Sequence, residues 1–427
     1  MNPVFEPHRQ PMPAVPGEAA LRIGFFADTY APQINGISVS LQWLTQALRA
    51  AGHQVTIFAP RFPDYDDTDP DVHRIPALTY RLSPPYYISV PGTPRTSLAL
   101  RRCEFDVLHI HSPLSTGMIA YLTAKAKHTP LIYTYHTAIT DYVRYLKRLG
   151  STRPVYGAAR WFSTTTANLT DQIVTPSEKT KVLLLRQRVR RPIHVIPNGI
   201  DLASFQRVDG SHSFRRRLGI DPAVPLLLSV GRLAPEKNLS LLVEAFVQIA
   251  AHFPGSQLVF AGDGSSRADL ERQAAACGLA ERIHFVGMLA HADLPGLLQE
   301  ADLFLSAATT ETQCVAMAEA IAAGLPLVAV WDQAFAGMLI NGLNGMVAPA
   351  DAQSFGSVVC SLLADPEKLR SFSKNSLGLS RSFSVEAQAA ALVELYRKAI
   401  VEKIMQRRNR RFAPKSRARA TFERRNP

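Results

Sequence analysis

Long apolar runs and closely spaced cysteines are both missing from this 427-residue sequence. Apolar runs such as residues 226–230 and 325–330 have the length of a strand, well below the ~18 residues that a membrane-spanning helix needs. The four cysteines form no Cys-x-x-Cys or mixed Cys/His pattern, which is typical of a reducing compartment and of a chain without a structural metal. We therefore expect a folded cytoplasmic protein with no membrane span, no disulfide and no metal site.

Acidic residues are scarce near the carboxyl terminus. Residues 397–427 contain twelve Lys or Arg and two Glu, so +10 of the chain's net charge of +12 lies there. We expect residues 406–427 to form a basic tail that binds an anionic membrane surface; a solvated tail that only aids solubility is the alternative. Nucleic acid is not an expected partner, because few aromatic residues are interleaved with these cations. Residues 1–20, with five prolines and no apolar h-region, are predicted to be a disordered leader.

Short β-rich runs alternate with amphipathic helical stretches along most of the chain. The first unit has a strand at 21–26, apolar residues at helical spacing from 37 to 51, and a second strand at 54–58. This alternation predicts an α/β protein with mostly parallel sheets. The pattern is lost over residues 60–102, which we predict to be an acceptor-side or membrane-side loop. The predicted parts are an N-terminal domain 21–197, a hinge at Pro197-Asn198-Gly199, a C-terminal domain 198–380, and a helix 381–405 that docks back on the first domain.

Four motifs follow one another in the second half of the chain. They are Gly-Arg-Leu-Ala-Pro-Glu-Lys-Asn at 231–238, Ala-Gly-Asp-Gly at 261–264, Glu-Thr-Gln-Cys at 311–314 with a second Glu at 319, and Gly-Leu-Pro at 324–326. In residue type, order and spacing they resemble the retaining glycosyltransferases that use nucleotide sugars and have the GT-B fold. The resemblance spans roughly residues 21–400. It implies two facing Rossmann-like domains with the nucleotide-sugar cleft between them.

The same resemblance implies a donor site built from these motifs. At Gly231 the absence of a side chain lets a diphosphate approach the strand-to-helix loop, and the cations of Arg232 and Lys237 stabilise the leaving nucleotide. Glu311 is implied to contact hydroxyls of the transferred sugar, and Glu319 the ribose. The other implied donor-binding residues are Gly36, Gly262, Gly264, Thr312, Gln313, Cys314 and Val315.

The spacing of the two glutamates limits their roles. If residues 311–319 are helical, the two positions are about 12 Å apart along the axis, whereas the two carboxylates of a retaining glycosidase are ~5 Å apart. We therefore interpret Glu311 and Glu319 as binding groups and expect no protein nucleophile. Gln313 and Cys314 depart from the family, in which most members have an aromatic residue and a glycine there. A cysteine at position 314 would be strained if its φ angle were positive.

Two stretches of the N-terminal half resemble the bacterial diacylglycerol glucosyltransferase branch of this family. They are Ala-Asp-Thr-Tyr-Ala-Pro-Gln-Ile-Asn-Gly at 27–36, and Tyr-Thr-Tyr-His-Thr at 133–137 with Asp-Tyr at 141–142. The resemblance implies that His136 contacts the transferred sugar; a histidine of the core or of a strand edge is the alternative. The implied catalytic residues are thus His136, Arg232, Lys237 and Glu311. The predicted acceptor-binding residues are Asp28, Tyr30, His111 and Tyr135.

Two further features have more than one interpretation. His109 and His111 alternate on one strand but have no third ligand nearby, and the family needs no metal, so we interpret both as structural, with His111 lining the cleft. Residues 179–191 mix six cations with leucines. They predict either a basic amphipathic helix on an anionic bilayer or an ordinary domain helix with a cationic face.

Together these features predict a hexosyltransferase. It would move a hexose, with UDP-glucose as the first donor expected, to a membrane lipid such as diacylglycerol, with retention at the anomeric carbon and without a cofactor. We expect it to lie peripherally on the inner face of the cell membrane. The alternatives are a GDP-mannose-dependent mannosyltransferase acting on a lipid-linked or polysaccharide acceptor, a UDP-sugar 2-epimerase, and a non-catalytic binding protein.

Overall fold

The computed structural model of the protein describes residues 19–33, 35–63, 65–80, 86–136, 153–205, 213–290 and 292–412. The predictions for most of the leader, for residues 141–142 and for the tail beyond residue 412 concern residues outside these ranges. Within the described ranges, no helix has both the length and the apolar character needed to cross a membrane.

The N-terminal domain is a seven-stranded parallel sheet flanked by helices. Its strand order is β3-β2-β1-β6-β7-β8-β9, and each adjacent pair is parallel. The strands of this sheet are β1 Arg22–Phe26, β2 Gln54–Pro60, β3 Val72–Ile75, β6 Val107–Ile110, β7 Leu131–Thr134, β8 Gln172–Thr175 and β9 Ile193–Val195. The helices are α1 Gly36–Ala50, α2 Pro94–Arg102, α3 Ser115–Lys127, α4 Arg153–Leu169 and α5 Glu178–Arg186.

The insertion at 60–102, predicted as a loop, contains regular structure. Strand β3 extends the sheet, β4 Ala77–Tyr80 pairs with β5 Tyr86–Ser89 as an antiparallel hairpin, and α2 follows. These elements gave no apolar pattern in the sequence because they lie at the edge of the domain. In β3, for example, only Ile75 is fully buried.

The C-terminal domain is a six-stranded parallel sheet in the order β12-β11-β10-β13-β14-β15. Its strands are β10 Leu226–Val230, β11 Gln257–Ala261, β12 Ile283–Gly287, β13 Leu303–Ser306, β14 Leu327–Val330 and β15 Gly345–Ala348. Its helices are α6 Ser213–Leu218, α7 Leu239–His252, α8 Arg267–Ala276, α9 Leu294–Glu300, α10 Val315–Ala322, α11 Ala352–Leu363 and α12 Pro366–Ser380. Two Rossmann-like domains are therefore present, and the predicted fold class is confirmed.

The final helix, α13 Val385–Phe412, packs against α1 of the N-terminal domain. The Lys403 ammonium lies 2.7 Å from the Asp171 carboxylate, and the Gln172 amide donates to Glu402. The helix ends at Phe412 rather than at the predicted residue 405. No proline or glycine occurs between 381 and 412, so nothing in the backbone stops the helix earlier.

The chain crosses between the domains twice, and the two crossings touch. The Ile200 amide donates to the Phe383 carbonyl and the Val385 amide to the Ile200 carbonyl, both at 2.9 Å. Gly199 packs so closely that a Cβ atom there would overlap the backbone of Val385. The predicted hinge therefore lies beside the start of α13.

Candidate active site

Two glycine-rich turns at the carboxyl edge of the C-terminal sheet are held together by their backbones. The Gly231 amide donates to the Ala261 carbonyl and the Leu233 amide to the Asp263 carbonyl, both at 2.9 Å. Gly262 and Gly264 have φ angles of +142° and +156°, and a Cβ atom at either would overlap a carbonyl oxygen of the first turn. Only glycine fits these two positions.

Gly231 serves the site in a different way. Its φ of +138° also favours glycine, but no atom lies within 4 Å of the position where its Cβ would be. The space in front of its backbone is therefore open, as the approach of a diphosphate requires.

A cavity that is open to solvent lies in front of these turns, between the carboxyl ends of β10 and β13. Its lining includes Gly231, Arg232, Lys237, Ser306, Glu311 and Cys314. Carboxyl ends of parallel strands are where open α/β sheets bind ligands. The structure thus brings five of the predicted donor-site residues to one cavity.

Lys237 and Glu311 form an ion pair at this cavity. Burial alone would lower the pKa of Lys237, but the adjacent Glu311 carboxylate outweighs burial and raises that pKa. The Arg232 guanidinium is 61% exposed and lies 3.1 Å from the Glu236 carboxylate. One cation is thus fixed in the wall of the cavity, and the other lies largely in solvent at its mouth.

The two predicted glutamates lie in different elements. Glu311 is in the turn before α10, and Glu319 is inside that helix, which begins at Val315. The premise that residues 311–319 form one helix was therefore wrong, and the 12 Å separation does not apply. The turn is fixed by Asp332, which accepts a hydrogen bond from the Glu311 amide. Burial raises the pKa of Glu319 to about 8, so its carboxyl group is mostly protonated at neutral pH.

Cys314 fits its position without strain. Its φ angle is −84°, so the positive φ that would have disfavoured a cysteine is not present. Burial, with a smaller contribution from Glu311, raises the pKa of the thiol to about 12. Cys314 is therefore a neutral wall of the cavity and not a thiolate nucleophile.

Gln313 and Thr312 face the other domain. The Gln313 Oε1 atom accepts from both the backbone amide (2.9 Å) and the side-chain amide (2.7 Å) of Asn198, and its Nε2 donates to the Asn198 carbonyl. The Thr312 carbonyl accepts from Ser177 Oγ at 2.5 Å. Gln313, predicted as a donor-binding residue, thus has its side-chain amide engaged by the hinge.

Three histidines form a cluster on the N-terminal sheet, in which His109 and His111 are buried and His136 is half-buried. His111 Nδ1 and His136 Nε2 share a hydrogen bond at 3.0 Å, and His109 bonds the hydroxyls of Tyr396 (2.6 Å) and Thr134 (2.7 Å). Burial lowers the pKa of His136 to about 4 and holds that of His111 well below its ordinary value. All three rings are neutral at pH 7. His109 joins α13 to the sheet, and His136 comes within 3.5 Å of Thr312 of the other domain through its carbonyl.

Three of the predicted acceptor residues, Asp28, Tyr30 and Tyr135, are buried in the N-terminal domain. Asp28 is 3% exposed; one carboxylate oxygen accepts from Ser115 Oγ (2.6 Å) and the Thr116 amide (2.9 Å), and the other is buried without a partner in the described part of the chain. Tyr30 is largely buried under the Arg74 guanidinium. Tyr135 is fully buried and its hydroxyl accepts from Ser163. Tyr135 therefore belongs to the core and cannot contact an acceptor.

Gly36 and Asn35 shape the opening loop of the N-terminal domain. Gly36 is the first residue of α1, and the space around its Cβ position is open. The Asn35 side chain caps the helix by accepting from the amides of Ile37 and Ser38. The loop therefore presents backbone and not a side chain at this point.

Asp332, which was not among the predicted site residues, joins the two domains at the site. The Lys179 ammonium lies 2.7 Å from its Oδ1 atom and 2.5 Å from its Oδ2 atom, and the amides of Glu311 and Ala334 also donate to this carboxylate. Its position two residues after β14 is a usable signal, because strand ends meet at this edge. Lys179 is thus bound at the domain interface, which favours the domain-helix interpretation for the start of residues 179–191.

Across the described ranges, no three His, Cys, Asp or Glu side chains are grouped so as to hold a metal ion.

Comparisons with known proteins agree with this geometry. Residues 34–204 match the family described as Glycosyltransferase Family 4, and residues 211–377 match Glycosyl transferases group 1. The alpha-monoglucosyldiacylglycerol synthase of Acholeplasma laidlawii is 30% identical over 390 residues, which cover 88% of this chain and 96% of that protein. A GDP-mannose-dependent alpha-mannosyltransferase of Mycobacterium tuberculosis is 29% identical over 72% of this chain and 79% of its own. The structure of Anabaena Alr3699/HepE in complex with UDP matches with a TM-score of 0.70 at 18% identity, covering 88% and 100% of the two chains.

The chain belongs to the glycosyltransferases with the GT-B fold. Within that family, the resemblance to the bacterial diacylglycerol glucosyltransferase branch is confirmed by the synthase of Acholeplasma laidlawii. The class of enzyme, a hexosyltransferase, follows from the two family matches and from these relatives.

Proposed function

We propose that this protein transfers glucose from UDP-glucose to a hydroxyl of a membrane lipid, diacylglycerol in the first place, with retention at the anomeric carbon. The observation that carries the proposal is the Lys237–Glu311 pair at a cavity fronted by the open backbone of Gly231. The identity to a monoglucosyldiacylglycerol synthase supports the choice of glucose and of the lipid.

In this proposal the nucleotide sugar rearranges the ion pair. A diphosphate in front of Gly231 attracts the Lys237 ammonium, which frees Glu311 to accept hydrogen bonds from sugar hydroxyls. Arg232, held only at the surface, swings onto the same phosphates. Both cations then stabilise the charge that grows on the leaving nucleotide, and this interaction is stronger in the transition state than in the ground state.

The acceptor side of the cleft is built from neutral groups. A neutral His136 binds a sugar hydroxyl without placing a positive charge beside an oxocarbenium-like carbon. The acceptor hydroxyl attacks from the face that the nucleotide leaves, and the departing phosphate takes its proton. Closure of the two domains over the hinge, through contacts such as Gln313 with Asn198, excludes water from the reacting carbon.

A GDP-mannose-dependent mannosyltransferase is the second candidate. It is favoured by the relative from Mycobacterium tuberculosis, whose name states that donor. The wall made by Arg232, Lys237 and Glu311 contacts groups that UDP-glucose and GDP-mannose share, so it does not favour either base.

Thermal shifts and product stereochemistry test the proposal. We expect UDP to raise the melting temperature more than GDP at equal concentration, and Lys237→Ala to remove most of that shift. The matched control is Lys368→Ala, a lysine on α12 that is not part of the cavity lining. Proton NMR of the glycolipid is expected to show the α-anomer as the first product. A larger shift with GDP would favour the mannosyl donor, and a β-anomer would refute retention.

Membrane attachment is a second part of the proposal. Val401, Ile404 and Met405 are exposed on the last turns of α13, next to Arg407 and Arg408. An apolar face beside cations is suited to an anionic lipid surface. We therefore propose that the end of α13 and the basic tail hold the enzyme on the inner face of the cell membrane.

A further inference from the structure

The side chain of His111 directs its hydrogen bonding to His136. His111 follows strand β6 directly and is 3% exposed. Its Nδ1 atom lies 3.0 Å from the Nε2 atom of His136. Its own Nε2 atom is buried and has no hydrogen-bond partner in the described part of the chain. Among the described residues, the polar contact of the His111 ring is thus with His136.

Two further aromatic rings pack against His111. The ring of Phe25 meets it edge-on, with 4.7 Å between the centroids, and the ring of His109 lies 4.2 Å away. Both nitrogens of His109 are already hydrogen-bonded to hydroxyl groups. His109 therefore packs against His111 and does not compete with His136 for the Nδ1 atom. The position of the His111 ring is fixed by packing as well as by its hydrogen bond.

A hydrogen bond between two neutral imidazoles sets the tautomer of both. Burial lowers the pKa of His111 and of His136, so each ring carries one N–H group at neutral pH. In such a pair one nitrogen donates and the other accepts. If His136 Nε2 accepts, its Nδ1 atom is a donor, and if Nε2 donates, Nδ1 is an acceptor. His111 thus determines what the Nδ1 atom of His136 offers to a ligand.

His136 is the member of this pair that meets the cleft. It lies just beyond β7 and is half-buried, and its carbonyl is 3.5 Å from the Thr312 hydroxyl of the other domain. Thr312 follows Glu311, which lines the donor cavity. Because Nε2 of His136 is engaged by His111, Nδ1 is the ring nitrogen that is left for a substrate.

We propose that His111 is a positioning residue, which holds His136 in one ring orientation and one tautomer so that its Nδ1 atom is preset for the transferred sugar. The proposal deepens the proposed function and rests on it for the contact between His136 and the sugar. It gives His111 a role other than the predicted contact with the acceptor, for which a side chain 3% exposed has little surface. A polar group that is preset in this way needs no reorganisation in the transition state.

Substitutions at position 111 test the proposal through kinetics. His111→Leu removes the bond to His136, whereas His111→Asn places an amide group near the position of Nδ1. We expect His111→Leu to lower kcat for sugar transfer at least ~10-fold, with KM for the lipid changed less than ~2-fold, and His111→Asn to recover most of this loss. His111→Gln, whose amide lies near the position of Nε2, is the second loss variant should His111→Leu not fold.

His284→Leu is the matched control for these variants. It removes a half-buried strand histidine that has one side-chain hydrogen bond, to Gln257 at 2.8 Å, and that is not part of the donor-cavity lining. This variant should keep the kcat of the wild type. Melting temperatures of all variants would be measured alongside.

Nitrogen-15 NMR of the full-length protein, labelled at histidine, gives a readout that does not depend on the acceptor. In the wild type, the two ring nitrogens of His136 should show the separate shifts of one protonated and one unprotonated nitrogen. In His111→Leu both shifts should move toward the average of two exchanging tautomers, and in His111→Asn they should separate again. Loss of signals in His136→Asn assigns them.

The outcomes separate this proposal from the proposed function. Averaged shifts in the wild type, or an unchanged His136 spectrum in His111→Leu, would overturn the positioning role. A raised KM for lipid at unchanged kcat would do the same by making His111 an acceptor-binding residue, and a lower melting temperature at unchanged kcat by making it only structural. If the His136 shifts change as expected but the wild type transfers no sugar to lipid, the positioning role stands and only the proposed acceptor is overturned.

Discussion

Glu319 connects the candidate site to the pH dependence of stability. Burial raises the pKa of its carboxyl group to about 8 in the folded protein, against about 4.3 in an unfolded chain. Between these values the folded state keeps a proton that the unfolded state has lost. The contribution of Glu319 to the free energy of unfolding therefore falls as the pH rises from about 4.5 to 8, and is constant above 8.

We predict that Glu319→Gln, which stays neutral, removes this loss. The melting temperature of the variant relative to the wild type should increase from pH 5 to pH 8 by several degrees, at roughly 2–4 °C per kcal/mol. Differential scanning fluorimetry at five pH values would measure it. Parallel curves for the two proteins would contradict a protonated Glu319. Donor affinity should fall in the variant if Glu319 binds the ribose.

A second prediction concerns the glycine turns. Gly262→Ala must overlap the Gly231 carbonyl and adopt a positive φ angle. We expect a loss of at least about 2 kcal/mol of stability in urea unfolding, together with loss of transfer activity. Gly36→Ala makes the same change where the Cβ position is open, and should unfold like the wild type. Equal stability of Gly262→Ala would show that the turns rearrange.

The residues of the site were predictable where a motif stated their chemistry. Arg232, Lys237 and Glu311 lie together at one cavity, as the motifs indicated. Tyr135 was misplaced because the motif at 133–137 does not show that the chain is still buried on both faces at the end of β7. Asp332 was missed, and the contact between the hinge residue Asn198 and Gln313 was not predicted, because each depends on a partner more than 100 residues away in sequence, which local patterns do not contain.

At the scale of elements, α13 is held to the N-terminal domain by a buried polar contact. The hydroxyl of Tyr396 lies 2.6 Å from His109 Nδ1, and both side chains are fully buried. Tyr396→Phe leaves a buried ring nitrogen without its partner, which should cost about 1–3 kcal/mol. Urea denaturation would measure this loss. Tyr156→Phe, at an exposed tyrosine of α4, is the control and should change little. A Tyr396→Phe variant as stable as that control would refute the role of this contact.

A deletion at the end of α13 tests whether this helix and the tail after it bind the membrane. Deleting residues 406–427 removes most of the basic residues of segment 397–427. The deletion should therefore reduce co-sedimentation with phosphatidylglycerol vesicles. Binding of the intact chain should weaken as salt rises, because exposed charges are screened within ~10 Å at 0.1 M. Unchanged sedimentation of the shortened chain would transfer the attachment to the N-terminal domain. Neutral phosphatidylcholine vesicles are the control.

The two strands that open the chain were predicted from sequence because their apolar runs are buried along most of their length. The strands predicted at 21–26 and 54–58 correspond to β1 and β2. Strands β3 and β15 were missed because they lie at sheet edges and are half buried, so they carry no continuous apolar run. Edge strands are specified by pairing with a neighbour, which a local pattern does not reveal.

At the scale of the whole molecule, the donor site and the domain interface share residues. Asp332 holds the Glu311 turn and also binds Lys179 of the other domain. Gln313 follows Glu311 by two residues and binds the hinge at Asn198. These shared residues connect the donor cavity directly to the contacts between the domains.

The measurement that tests the central claim most directly is transfer of labelled sugar to lipid. Vesicles containing diacylglycerol would be incubated with labelled UDP-glucose and, in parallel, labelled GDP-mannose. We predict a glucolipid from UDP-glucose, and at least ~100-fold less with Glu311→Ala. Glu394→Ala, an exposed glutamate of α13, is the matched control and should retain activity. No labelled lipid from either donor, or full activity of Glu311→Ala, would contradict the account.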